Sequence, residues 1–352
     1  MLIDAHQLAD GQTVAGDVVI IGGGPAGIAA ARRLAQGGRR VVLLESGGTD
    51  FEADVQRLYA GRSIGLPYVD LDVTRLRFLG GSTNHWGNQV SDFEPIDFTK
   101  REWVPHSGWP VTRDELQPYY EQAFPFLDLG TYDLDRPALW ARQGDQFQVP
   151  DFAGRKIKSK LFRLRTPPLQ AGEHYLGELT ASAAIQLYLH LNATSLNLAA
   201  DGNEVRSVSA ATLDGKKITA TGAHYILACG GLENPRLLLH SNQVQSTGIG
   251  NARDLVGRFF MDHLRVESGL LVPASGVSFQ AYGDVFAEPV DRSACLYLRP
   301  EAHREQRTTV VRMKFQPLIA ARHRSAIAGS RAWSMISGKA ARSMRSERRW
   351  PG

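Results

Sequence analysis

Residues 17–45, DVVIIGGGPAGIAAARRLAQGGRRVVLLE, constrain the fold more than any other stretch. Val18–Ile21 is a short, wholly apolar run, the pattern of a parallel strand buried on both faces. Gly22, Gly24 and Gly27 follow as GxGxxG, with Pro25 inside the turn. That spacing allows a tight bend, close approach of a pyrophosphate and close packing of helix on strand. The helix start offers unpaired amides to phosphate oxygens. Ile28, Ala31, Leu34 and Ala35 share one helical face, Gly37 and Gly38 end the helix, and residues 40–44 return as a strand. Glu45 closes it, placed to accept from ribose hydroxyls and to repel a ribose phosphate. A dinucleotide site follows, for FAD or NAD rather than NADP; the glycine turn alone does not choose between those two.

Residues 76–88, LRFLGGSTNHWGN, concentrate twin glycines, hydroxyls, amides, a histidine and a tryptophan, a loop able to lay its backbone along a cofactor. LGGST followed by HWG resembles the glucose-methanol-choline (GMC) flavin oxidoreductases, whose corresponding loop runs along FAD. Residues 94–120 are similar to the segment that follows in the sugar and sugar-acid dehydrogenase branch. YILACGGLENPRLLL (225–239) and VGRFFMDH (256–263) resemble the late FAD strand and the crossing into the substrate domain. The resemblance implies FAD as cofactor, held by Gly22, Gly24, Pro25, Gly27 and Glu45 at the adenosine and pyrophosphate end. It implies Gly80, Gly81, Ser82, Thr83, Asn84, His85 and Trp86 at the flavin end, with Ser195 near the adenine and Cys229, Gly230 and Asn234 on the late strand and its turn.

Several of these residues have a plainer reading. His85 matches a position that is bonded to the flavin 8-methyl group in pyranose-oxidase-like relatives, and elsewhere serves as a loop hydrogen-bonder. Trp103, Trp109, Tyr119 and Tyr120 could stack on a sugar, but large aromatics more often pack, and packing is expected for most of them. Thr112 and Glu115 have capping-box spacing. Asp262 and His263 read as part of a domain crossing rather than as an acid/base pair. Residues 184–208 read as strand, LDGKK (213–217) as a hairpin turn, and the triplet Asn192-Ala193-Thr194 as a chance glycosylation match.

A chain of 352 residues, 43% hydrophobic, can bury a large core in two domains. Cys229 and Cys295 give neither a disulfide framework nor metal-ligand spacing, and no metal ligand is expected. No secretory signal and no run long enough for a bilayer span is read, so a cytoplasmic protein is the expectation. Charge is uneven: residues 299–352 hold 13 Lys and Arg against 3 acids, while the rest is net acidic. Without an aromatic platform this basic stretch reads as a solvated end, not a nucleic-acid surface.

The expected architecture is α/β, a Rossmann-like FAD-binding domain with a mixed or antiparallel-sheet substrate domain. Its parts are FAD domain 1–90, substrate segment 91–184, FAD domain 185–262, an incomplete substrate sheet 263–320 and a basic, poorly ordered tail 321–352. The expected activity is oxidation of an alcohol group on a sugar, sugar acid or polyol, with an unspecified electron acceptor. In the family a histidine from the C-terminal part takes the hydroxyl proton, and no such stretch is found here, so no catalytic residue is assigned. Losing that proton transfer is worth roughly two to four orders of magnitude in rate. The alternative expectation is a truncated, non-catalytic FAD-binding protein or a subunit completed by a partner chain. A nicotinamide or flavin-monooxygenase reading leaves GGSTNHWG and ACGGLENPR without a role.

Overall fold

The computed structural model describes residues 1–134, 152–264, 266–272, 282 and 292–315, which form two units. The first holds Met1–Trp86 with residues 170–264, the second the described residues of Gly87–Leu169 and of 266–315. In chain order the described strands are β1 (Leu2–Asp4), β2 (Thr13–Ala15), β3 (Val18–Ile21), β4 (Val41–Leu44), β5 (Ile157–Arg163), β6 (Ile185–Leu189), β7 (Asn192–Leu198), β8 (Val205–Ala211), β9 (Lys217–Thr221), β10 (His224–Leu227), β11 (Arg292–Leu298) and β12 (Arg312–Met313). The longer helices are α1 (Pro25–Gln36), α2 (Arg113–Phe126), α3 (Ala171–Ala181) and α4 (Gly230–His240).

The first unit is Rossmann-like. β1, β6, β4, β3 and β10 lie in that order in one parallel sheet. Every residue of β3 and β4 is buried, as VVII and VVLL demand of strands covered on both faces. α1 buries Gly27, Ile28 and Ala31, and Arg32 reaches α3, pairing with Glu178 at 2.8 Å and lying over the Tyr175 ring. A second sheet, β2-β9-β8-β7, is mixed: β2 runs parallel to β9, while β8 is antiparallel to both of its neighbours. The hairpin read at residues 213–217 joins β8 to β9, with Gly215 in the left-handed region. Val19, Ile21, Val42 and Leu44 share one core with Val14, Leu196, Val208 and Ile218 of the second sheet.

The second unit holds an antiparallel sheet, β12-β11-β5, over a core of Phe124, Leu129, Leu134, Leu161, Tyr282 and Ala294. Thr112 and Glu115 form the expected capping box at the start of α2. The aromatics divide. Trp103 donates its indole N–H to the Thr308 carbonyl and Tyr120 stacks on Tyr132, but Trp109 and Tyr119 are exposed, because the short turn before α2 and the outer face of that helix leave them uncovered. The structure is therefore α/β, with a parallel dinucleotide-type sheet and an antiparallel sheet in the second unit. Among the described residues no helix is long and apolar enough to cross a membrane. The expected basic tail, 321–352, lies outside the described residues.

Candidate functional site

The glycine turn connects β3 to α1, and its three glycines meet different demands. Gly22 has φ +105°, and a Cβ there would stand 2.6 Å from the Ala228 carbonyl oxygen. A Cβ on Gly27 would overlap the Gly22 carbonyl, so this glycine lets α1 seat against the end of β3. Gly24 differs: it caps α1, and a Cβ there would meet nothing within 4 Å. Its surface is open.

The loop after Phe78 closes on this turn. Gly80 donates its amide to the Gly23 carbonyl at 2.8 Å, and a Cβ on Gly81 would come within 3.3 Å of the Gly24 Cα. The loop is braced from within: Thr83 donates to the Gly80 carbonyl at 2.6 Å and accepts from the Ala171 amide at 3.0 Å, and Asn84 donates to the Leu79 carbonyl at 3.0 Å. Thr83 Oγ1 and Asn84 Nδ2 are thus engaged by the chain itself, as are the Gly80 and Gly81 amides and the Gly80 and Ser82 carbonyls, and Ser82 is the exposed side chain of the loop. Beyond them His85 is half-buried, and Trp86 ends the first unit. Burial holds the His85 imidazole below its ordinary range, outweighing a hydrogen bond to the Thr74 carbonyl that favours the charged form.

Glu45 at the end of β4 is buried and clamps the turn. Its two oxygens accept from the Gly23 amide at 2.8 Å and the Gly47 amide at 2.9 Å. Burial pushes its carboxyl up; those amides and Arg77 pull it down without cancelling the effect. The clamp adds a structural duty to the ribose role expected from sequence. Each carboxylate oxygen keeps a further lone pair for a hydroxyl donor.

On the far side of β3, Cys229 caps α4 and donates its thiol to the Ile21 carbonyl at 3.1 Å. Burial, with the Glu45 charge adding to it, pushes this thiol up to about 12, so it is not a nucleophile at neutral pH. Asn234 accepts from the Cys229 amide at 2.9 Å and donates to the Leu227 carbonyl at 3.3 Å, bracing the strand end with its own side chain. Gly230 has φ +83° and open space where a Cβ would lie. Ser195 lies in β7, paired with Ser209, its hydroxyl donating to Asn197.

Residues that local pattern did not single out complete the surroundings. Glu233 is buried and paired with Arg75 at 2.8 Å, Arg236 at 2.6 Å and Arg77 at 3.7 Å. Arg77 also donates to Ser46 Oγ at 2.6 Å, and both Arg75 and Arg77 lie over the Tyr59 ring. The charged alternation at Arg75 and Arg77 was the one available signal. In the second unit Asn88, at φ 50° and 1% exposed, has both side-chain amide atoms without a partner among the described residues.

A dinucleotide fits what is built in the first unit. Open glycine surfaces at Gly24 and Gly230, free amides at the start of α1 and an acid at the end of β4 are what a pyrophosphate and a ribose need.

Residues 16–56 match the family model described as pyridine nucleotide-disulphide oxidoreductase. The chain is 28% identical over 335 residues to 2-methyl-1,2-propanediol dehydrogenase of Mycolicibacterium austroafricanum, covering 78% of this chain and 59% of the relative. It is 26% identical over 355 residues to the fructose dehydrogenase large subunit of Gluconobacter japonicus, covering 79% and 61%. Among solved structures it is similar to pyridoxine 4-oxidase from Mesorbium loti, at 22% identity and TM-score 0.42 over 64% of this chain and 52% of that one. The chain thus spans about three fifths of the length of the relatives it matches. Fold, glycine turn and relatives define the class: an FAD-binding flavoprotein chain with GMC-type oxidoreductase homologues. These relatives include a diol and a sugar dehydrogenase.

Proposed function

We propose that the chain supplies the FAD site of an oxidoreductase that oxidises a CH–OH group of a sugar, sugar acid or polyol. The observation that carries this reading is the facing pair of glycine loops, Gly22 to Gly27 and Gly80 to Ser82, locked together by the Gly80 to Gly23 hydrogen bond and open over Gly24. In this reading the amides at the start of α1 hold the pyrophosphate, Glu45 the ribose, and the backbone of residues 80–82 the flavin edge. When bound, the flavin accepts the hydride. The chain's share is to bind, orient and exclude water. His85, whose imidazole burial holds below its ordinary range, offers a ring nitrogen beside the flavin end. Names among the relatives, a diol dehydrogenase and a fructose dehydrogenase, support a small hydroxylated substrate.

A second form of the proposal is that FAD binds here while alcohol oxidation needs residues of a partner chain. The name of one relative, a fructose dehydrogenase large subunit, supports it. Anaerobic addition of a sugar and polyol panel to the FAD-loaded chain separates the two forms. Bleaching by one compound supports the enzyme; a yellow protein that no compound bleaches supports the subunit. Colour retained in an acid-precipitated pellet would show that flavin is covalently held, and its disappearance in His85→Ala would assign the bond to His85.

A further inference from the structure

A second group of side chains in the first unit has no part in the glycine loops. Asp4 ends β1, His6 lies in the single turn Ala5–Gln7 that follows, and His190 lies in the link from β6 to β7. Asp4 Oδ1 stands 3.0 Å from His6 Nδ1 and 2.9 Å from His190 Nδ1. Each ring turns its other nitrogen towards a second carboxylate: His190 Nε2 is 2.9 Å from Glu52 Oε1, and His6 Nε2 is 4.0 Å from Asp214 Oδ1. One ligand atom from each of Asp4, His6 and His190 falls within 4.8 Å of the others. The Asp4 and His6 side chains are 36% and 40% exposed and that of His190 19%, so an ion can enter from solvent. Lys216 fixes the turn by donating to the His6 and Leu8 carbonyls.

One carboxylate oxygen and two imidazole nitrogens are the donor set of zinc-type ions, bound at about 2.0–2.2 Å. Tetrahedral geometry at those lengths separates neighbouring donors by about 3.4 Å, so the two Asp4 pairs, at 3.0 and 2.9 Å, need to open by a few tenths of an ångström, while the two imidazole nitrogens, within 4.8 Å of each other, draw together on the ion. Magnesium and calcium, which prefer shells of oxygen, suit the site poorly. The carboxylates behind the rings supply the outer contacts that orient metal-bound histidines. We propose that Asp4, His6 and His190 bind one divalent cation of the zinc class, with Glu52 orienting His190 and water completing the shell. The ion ties the edge strand β1 to the link between the two sheets. These ligands come from positions 4, 6 and 190, too far apart in sequence to show as a motif.

The test is isothermal titration of the FAD-loaded full chain with zinc chloride, with magnesium chloride as control, repeated on His6→Ala and Glu52→Gln. One zinc ion per chain is expected. Affinity should fall by about 10–100-fold in Glu52→Gln, the usual effect of losing an outer contact, and stoichiometric uptake should vanish in His6→Ala. Cobalt(II) should give the intense visible bands of a tetrahedral site in the wild type and not in His6→Ala. No stoichiometric zinc uptake by folded wild-type protein overturns the proposal, as does undiminished uptake by His6→Ala. If His6→Ala fails to fold, by circular dichroism, His6→Gln is judged in its place by the same two outcomes.

Discussion

Gly24 and Gly27 are three residues apart in one turn, and their surroundings ask opposite things of a side chain. A Cβ on Gly27 meets the Gly22 carbonyl, while one on Gly24 meets open space. Gly27→Ala should therefore cost stability, about 1–3 kcal/mol as an overpacked contact, seen as a lower chemical-denaturation midpoint with or without FAD. Gly24→Val should leave apoprotein stability nearly unchanged and weaken FAD binding by at least about tenfold, or 1.4 kcal/mol, measured by fluorescence titration. Equal effects of both variants on apoprotein stability would refute the division. This division was legible in the GxGxxG spacing, which assigns each glycine its duty. The double clamp of Glu45 on the Gly23 and Gly47 amides was not, because it depends on how the strand end and turn fold back on each other. Likewise the bracing of the Cys229 turn by the Asn234 amide leaves no trace in the local sequence.

β3, α1 and β4 could be read from period alone, since four-residue apolar strands and a helical stripe are local patterns. Ion pairs between elements leave no such trace. Glu233 in α4 meets Arg75 from a loop far earlier in the chain, and Lys160 in β5 reaches Asp92 at 3.2 Å and Glu94 at 2.9 Å. Burial alone would raise these three carboxyls. Hydrogen bonds from Arg75 and Arg236 outweigh it at Glu233, and Lys160 with its neighbours does so at Asp92 and Glu94, leaving all three below their ordinary values. A carboxyl whose folded pKa is depressed stabilises the fold fully above its unfolded pKa, about 4, and loses that contribution as pH falls through the folded value. Denaturant midpoints should hold steady down to about pH 5 and then fall, and Glu233→Gln should flatten part of that fall. Glu233→Ala should cost about 3 kcal/mol by leaving the half-buried Arg75 and Arg77 without their carboxylate; a loss below about 1 kcal/mol would show the cluster to be solvated.

For the molecule as a whole, the parallel sheet, the mixed sheet and their shared core build a single dinucleotide-binding unit from two distant stretches of chain. The family resemblance implies such a discontinuity, because its motifs lie in order along both stretches. The identity of the substrate was not readable, since it depends on which side chains of separate elements meet. Binding of FAD to the folded unit alone should raise its stability by about 2.7 kcal/mol at a free concentration one hundred times the dissociation constant. The most direct test is the absorbance spectrum of the purified chain after incubation with excess FAD and removal of free cofactor, beside Gly24→Val treated in the same way. A flavin spectrum at one FAD per chain in the wild type, and little or none in the variant, is the expected result. A colourless but folded wild-type chain, or equal flavin content in both proteins, would contradict a cofactor cradle at Gly24.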